Sequence, residues 1–125
     1  GITGVIMNQQ TVDIFNPKTI RATMGSIFRV PFVYVSELSP VLTQMHERGI
    51  HTYAAHLKGQ KYYDSFSFRE PIAFLIGNEG NGLTKEISDQ AGQYLKIPME
   101  GKVESLNASI AAALLMYEAH RQRNL

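Results

Sequence analysis

Residues 72–77 read IAFLIG, six apolar residues with no charge among them and no alternation. A strand with one wet face alternates polar and apolar residues. A short continuous run closed by glycine reads instead as a strand buried on both faces. Such a strand needs cover above and below. In one chain that means helices packed on both faces of a mostly parallel sheet.

The rest of the chain agrees. GVIM (4–7), PFVYV (31–35), IHTYAA (50–55) and YLKIP (94–98) read as further strands. Helical stretches lie between them. NPKTIRATMG (16–25) opens on Asn-Pro and closes on Gly, as a short helix or turn does. SPVLTQMHERG (39–49) has Ser39 to cap, Pro40 in the first turn and Gly49 to stop it. TKEISDQAG (84–92) follows the same logic with Thr84, and residues 105–123 form the closing helix. HLKGQKYYDSFSFRE (56–70) reads as a polar loop carrying aromatic residues. Alternation of this kind predicts an α/β fold, and 125 residues suffice for one domain with its own core. The chain opens directly on a strand, so the expectation is that the first βα unit of such a fold lies upstream.

Composition removes several function classes. There is no cysteine, which excludes disulfides and thiolate metal sites and fits a reducing, cytoplasmic setting. The four histidines show no ligand spacing with carboxylates, so no metal is expected. The longest apolar run, Ile110 to Tyr117, falls short of the roughly 20 residues of a membrane span. GITGVIMNQQ does not read as a signal peptide. A net charge of +1 gives no overall basic field, so RNA binding would need a local patch.

Two stretches carry chemistry. FLIGNEGNGLT (74–84) is a strand, a glycine-rich turn and a helix start, placed where ligands bind in open α/β sheets. It is not a standard phosphate loop. Gly77, Gly80 and Gly82 are spaced G-x-x-G-x-G rather than G-x-G-x-x-G. Gly77 and Gly82 have Walker A spacing, but Leu83 stands where the lysine belongs. Glu79 inside the turn would repel phosphate and suits a ligand with a positive centre or with hydroxyl and amine donors; the alternative is a tight turn with no ligand. The second stretch, IPMEGKVESLNASIAAALLMYEAH (97–120), leads into a very apolar helix through a run of polar residues. Either Ser105 or Asn107 can cap that helix. Capping explains neither the other one nor Ser109.

Taken together, IGNEGNGL and IPMEGKVESLNASIAAALLMYEA resemble motifs 2 and 3 of the SpoU/TrmH RNA ribose 2′-O-methyltransferases of the SPOUT superfamily. VDIFNPKTIRATMGSIFRVP (12–31) resembles the segment that precedes them. The resemblance implies a SPOUT fold with a C-terminal trefoil knot, S-adenosylmethionine bound within the knot, and a homodimer. Carried over residue by residue, it implies Gly77, Ile97, Met99 and Leu106 at the cofactor, largely through backbone groups. It implies Glu79, Ser105 and Asn107 around the methyl-transfer site. Arg21 and Arg29, flanking a Gly-Ser pair, are expected to contact RNA phosphate; the alternative is a surface ion pair. Lys58, Lys61, Tyr62 and Tyr63 read as a solvated loop with tyrosines packing back, and EAHRQR (118–123) as a basic helix end.

The chain departs from the family in one respect. Motif 1, an Asn, then a Gly, then an Arg-Thr-Ala run, has no match here, and the family's catalytic arginine lies in it. The expectation is therefore a methyltransferase domain over residues 1–125, truncated at its N-terminus and acting on tRNA or rRNA. Two rivals stand beside it: a non-catalytic SPOUT-like module that holds cofactor or RNA, and a generic nucleotide-binding α/β protein.

Overall fold

The structure, a computed structural model, describes all residues from Gly1 to Leu125. The chain divides into two compact units, Gly1–Leu38 and Ser39–Leu125.

In the first unit, strand β1 (Val5–Asn8) pairs in parallel with β2 (Phe32–Val35), Val5 opposite Phe32 and Asn8 opposite Val35. Parallel neighbours need a crossover, and helix α1 (Pro17–Ala22) lies in it. Asn16 caps α1 by accepting from the Lys18 amide at 2.9 Å, with Pro17 at the first position, as the sequence predicts. Met24 (φ 50°) and Gly25 (φ 86°) then turn left-handed, and a 3-10 turn follows over Ser26–Phe28. Tyr34 ties the loop after β1 down. Its hydroxyl donates to the Val12 carbonyl and accepts from the Ile14 amide.

The second unit holds helix α2 (Ser39–Glu47), strands β3 (His51–Ala55) and β4 (Ile72–Leu75), helix α3 (Lys85–Gln90), strand β5 (Gln93–Leu95) and helix α4 (Ala108–Arg123). Its sheet is all parallel in the order β4-β3-β5. Gly49 (φ 74°) closes α2, as expected. Ser39 does not act as expected. Its hydroxyl faces α3 and accepts from the Gln90 side chain at 2.6 Å.

Two expectations need correction. The strands form a two-stranded and a three-stranded sheet rather than one. The doubly buried strand is β3, where Thr52, Tyr53 and Ala54 are all buried, and not residues 72–77. Strand β4 stands at an edge of its sheet and is only partly buried throughout. Helix α4 buries one face, through Leu115, Ala119 and Gln122, and leaves Ile110 and Tyr117 exposed.

The core joins Tyr53, Phe68, Leu95, Leu115 and Ala119, with Phe66 and Phe74 packed against it. Phe68 meets Tyr53 and Phe74 edge-on at 5.2 and 5.1 Å between ring centroids. The aromatic residues of the "polar loop" are thus its most buried part, and the end of α4 holds them in place. Gln122 accepts from the Phe68 amide at 2.7 Å and donates to the Phe66 carbonyl at 2.9 Å. Arg123 donates to the Phe68 and Glu70 carbonyls at 2.8 and 2.9 Å. The basic helix end is therefore a clasp on residues 66–70, beyond any favourable term with the helix dipole. No helix is long and apolar enough to cross a membrane.

Candidate functional site

The glycine-rich turn starts two residues beyond the C-terminal end of β4. Asn78 builds it: its side-chain oxygen accepts from the Asn81 amide at 2.7 Å, and its carbonyl accepts from the Gly82 amide at 3.0 Å. Gly82 turns with φ 64°. Gly77 answers to a different demand. A Cβ there would lie 2.4 Å from backbone atoms of Gly82 and Leu83, so the turn closes only over a glycine. Thr84 ends the turn and caps α3 by accepting from the Ile87 amide.

The second stretch begins after β5. Lys96 still pairs with the loop at Lys61 and Tyr63. From Ile97 to Leu106, apart from the turn at Gly101 and Lys102, no backbone amide or carbonyl pairs with another backbone group. Ile97, Met99 and Leu106 within it are nevertheless partly buried. Backbone polar groups shielded from water are normally paired, so this stretch has hydrogen-bonding capacity to offer a ligand. Gly101 reverses the chain with φ 78°.

Asn107 decides which residue caps α4. Its side-chain oxygen accepts from the Ser109 and Ile110 amides at 2.9 and 3.4 Å and from the Ser109 hydroxyl. Its amide nitrogen donates to Glu79 at 3.0 Å. One side chain thus caps the helix and ties it to the glycine-rich turn. Ser105 is not the cap and stands exposed just ahead of it. Ser109, unexplained by capping alone, is the residue that helps hold the Asn107 amide in orientation.

Glu79 and Asn107 are therefore in direct contact, with Ser105 two residues from the joint. Gly77 and the Ile97–Leu106 segment enter the same pair of loops. Arg21 and Arg29 belong to the first unit, are exposed, and take no part in an ion pair. Lys61 and Tyr63 are held by Lys96, Tyr63 packs on the core, and Tyr62 stays half exposed. A separate shallow cleft of about 200 Å³, lined by His46, His51, Thr52 and Gly92 among others, shares no residue with these loops. Thr52 there already bonds His46 at 2.7 Å and the Gly92 amide at 2.8 Å, so its hydroxyl is committed to holding α2 against the sheet.

The model of the SpoU rRNA methylase family matches residues 1–117. The chain belongs to that family. A TrmH family relative from Staphylococcus haemolyticus is 35% identical over 124 residues, 99% of this chain and 50% of the relative. Among solved structures, the SpoU methyltransferase AviRb from Streptomyces viridochromogenes, in complex with AdoMet, has a TM-score of 0.89 and 34% identity. The match covers 98% of this chain and 48% of that one. An AdoMet-bound rRNA methyltransferase from Sinorhizobium meliloti has a TM-score of 0.85 and 33% identity, over 97% and 46%. An RNA 2′-O ribose methyltransferase has a TM-score of 0.85 and 34% identity, over 100% and 48%. The chain thus spans about half the length of the relatives it matches. The α/β fold with parallel strands read from the sequence is the one these SpoU structures share.

Proposed function

We propose that this chain is the cofactor-holding part of an S-adenosylmethionine-dependent methyltransferase that acts on a ribose 2′-hydroxyl of tRNA or rRNA. The observation that carries it is the Glu79–Asn107 hydrogen bond, which joins the two motif-bearing loops beside a run of unpaired backbone. The AdoMet-bound relatives support the choice of cofactor. The RNA 2′-O ribose methyltransferase of similar fold supports the ribose hydroxyl as acceptor.

The residues fit that cofactor. Unpaired amides and carbonyls between Ile97 and Leu106 suit the hydroxyl and amino groups of an adenosine and an amino acid. Glu79 supplies the negative charge that a sulfonium ligand tolerates and a phosphate does not. When bound, the cofactor supplies an electrophilic methyl group. This chain's own residues then have two tasks. The backbone around Gly77, Ile97, Met99 and Leu106 holds the ligand. Asn107 holds Glu79 in place, with Ser105 beside it facing the second substrate.

Neither Glu79 nor Ser105 nor Asn107 is a good base for a hydroxyl of such high pKa. The group that completes the site in this proposal is the family's motif 1 arginine, which has no match among these residues and which the resemblance implies helps to deprotonate the hydroxyl. A C-terminal trefoil knot, homodimeric assembly and a cytoplasmic setting belong to the same reading and rest on the family resemblance. Arg21 and Arg29 contact RNA phosphate in it; the absence of an ion-pair partner supports this over the alternative.

Calorimetry with S-adenosylmethionine tests the first step. No binding by the folded chain sinks the proposal and leaves a generic α/β protein. Methyl incorporation into bulk tRNA and rRNA, with and without upstream sequence, separates an enzyme part from a non-catalytic module.

A further inference from the structure

The turn after α1 combines features that neither folding nor the cofactor site explains. From Ile14 to Ser36 the chain carries Lys18, Arg21 and Arg29 and no acidic residue. In the middle of that basic stretch two large apolar side chains point outward, Met24 at 86% exposure and Phe28 at 80%. Their backbone is not loose. Met24, Ser26, Phe28 and Val30 amides all bond within the segment, to Arg21, Thr23, Gly25 and Ser26 carbonyls. Met24 adopts φ 50°, a left-handed conformation unusual for a residue with a side chain and commonest where function demands it. The Arg29 guanidinium folds back over Gly25, 3.8 Å from where a Cβ would sit there.

We infer that Phe28, with Met24 beside it, is a stacking platform for an unpaired RNA base whose flanking phosphates lie on Arg21 and Arg29. This rests on the RNA-methyltransferase reading and narrows its substrate to a looped or single-stranded element. An exposed aromatic ring on a rigid backbone gains stacking energy without ordering a flexible side chain. Lys18, Arg21 and Arg29 outnumber the two carboxylates of this unit, Asp13 and Glu37, and none of the three is in an ion pair, which sets the sign of the partner as negative. A duplex hides its base faces in the stack, so only an unpaired base can lie on Phe28.

The experiment uses the 125-residue chain and short RNAs carrying 2-aminopurine, single-stranded or annealed to a complement. Far-UV circular dichroism confirms that each variant folds, which an exposed side chain makes the expected result. The single strand should bind more tightly than the duplex, with quenching of 2-aminopurine. Phe28→Ala should weaken single-strand binding roughly tenfold and remove the quenching, while Phe28→Tyr keeps both. Arg21→Gln and Arg29→Gln should each lower the salt dependence by about one phosphate contact while keeping the quenching. Equal affinity of Phe28→Ala and the parent overturns the inference. So does a preference for duplex. So does a Phe28→Ala variant that changes only the sedimentation state, which would make this face a contact between copies. Cofactor calorimetry on the same samples separates the two readings. Binding of S-adenosylmethionine without the RNA behaviour overturns the platform alone, and the reverse overturns the methyltransferase alone.

Discussion

Asn107 uses both ends of its amide at once. The oxygen caps α4 and the nitrogen holds Glu79. The two roles can be separated. Asn107→Ala should lose about 1 kcal/mol of stability with the cap, and also lose cofactor affinity. Asn107→Asp should keep the cap, since aspartate is as good in that position, but set a carboxylate against Glu79. Its melting temperature should stay near the parent's while S-adenosylmethionine affinity falls at least tenfold in calorimetry. Retained affinity in Asn107→Asp would show that the bond to Glu79 is not needed for binding. Gly77 is less clean as a probe. Any side chain there meets Gly82 backbone first, so Gly77→Val should destroy the turn together with binding. A Gly77→Val chain with native amide spectra across 78–84 would contradict that packing.

At the scale of elements, the last two turns of α4 decide how residues 66–70 are held. Phe68 is fully buried, so Phe68→Ala should cost about 3–5 kcal/mol in denaturant unfolding. A loss below about 1 kcal/mol would mean that the aromatic cluster collapses into the space. The clasp also gives a pH signature. Hydrogen bonds from Arg121 and then Gln122 hold the Glu118 carboxyl down at about 2, against an ordinary 4.5. The folded state therefore binds fewer protons than the unfolded one between those values. Stability from this group is present above pH 4.5 and is lost as pH falls toward 2. Glu118→Gln should flatten that part of the stability profile, measured by urea unfolding at several pH values. An unchanged acid limb would assign it to other carboxylates.

For the whole molecule, the exposed stripe of Ile110, Leu114 and Tyr117 at helical spacing on α4 supports the homodimer of the proposal. Sedimentation at micromolar concentration should show a dimer, and Tyr117→Glu should shift it to monomer with little change in far-UV dichroism. A parent chain that sediments as a monomer would refute it. The proposed catalysis assigns a role to motif 1, which has no match in this chain. The 125 residues alone should bind S-adenosylmethionine yet transfer methyl groups to RNA very slowly. Robust turnover would show that a residue present in the chain takes the hydroxyl proton, with Arg21 the first to test.

Local chemistry made much of this legible beforehand. The caps at Asn16 and Thr84, the stop at Gly49 and the alternation of strand and helix are short-range effects, set within a few residues. The two motif-bearing loops were legible for the same reason: their unusual residues are neighbours in sequence. What the sequence left open was anything that depends on which segments meet. An apolar run such as IAFLIG looks the same at a sheet centre and at an edge, so the buried centre of β3 and the merely partial burial of β4 were settled only by strand order. Ser105 and Asn107 are equally good caps in isolation. Only the approach of Glu79, 28 residues away, gives the amide of Asn107 a second partner, and the backbone amides of Ser109 and Ile110 reach Asn107 alone. Gln122 and Arg123 read as a polar helix end because their partners, the carbonyls of 66–70, lie more than fifty residues back. Hydrogen bonds across such separations carry no local pattern, and only the folded chain brings their two ends together.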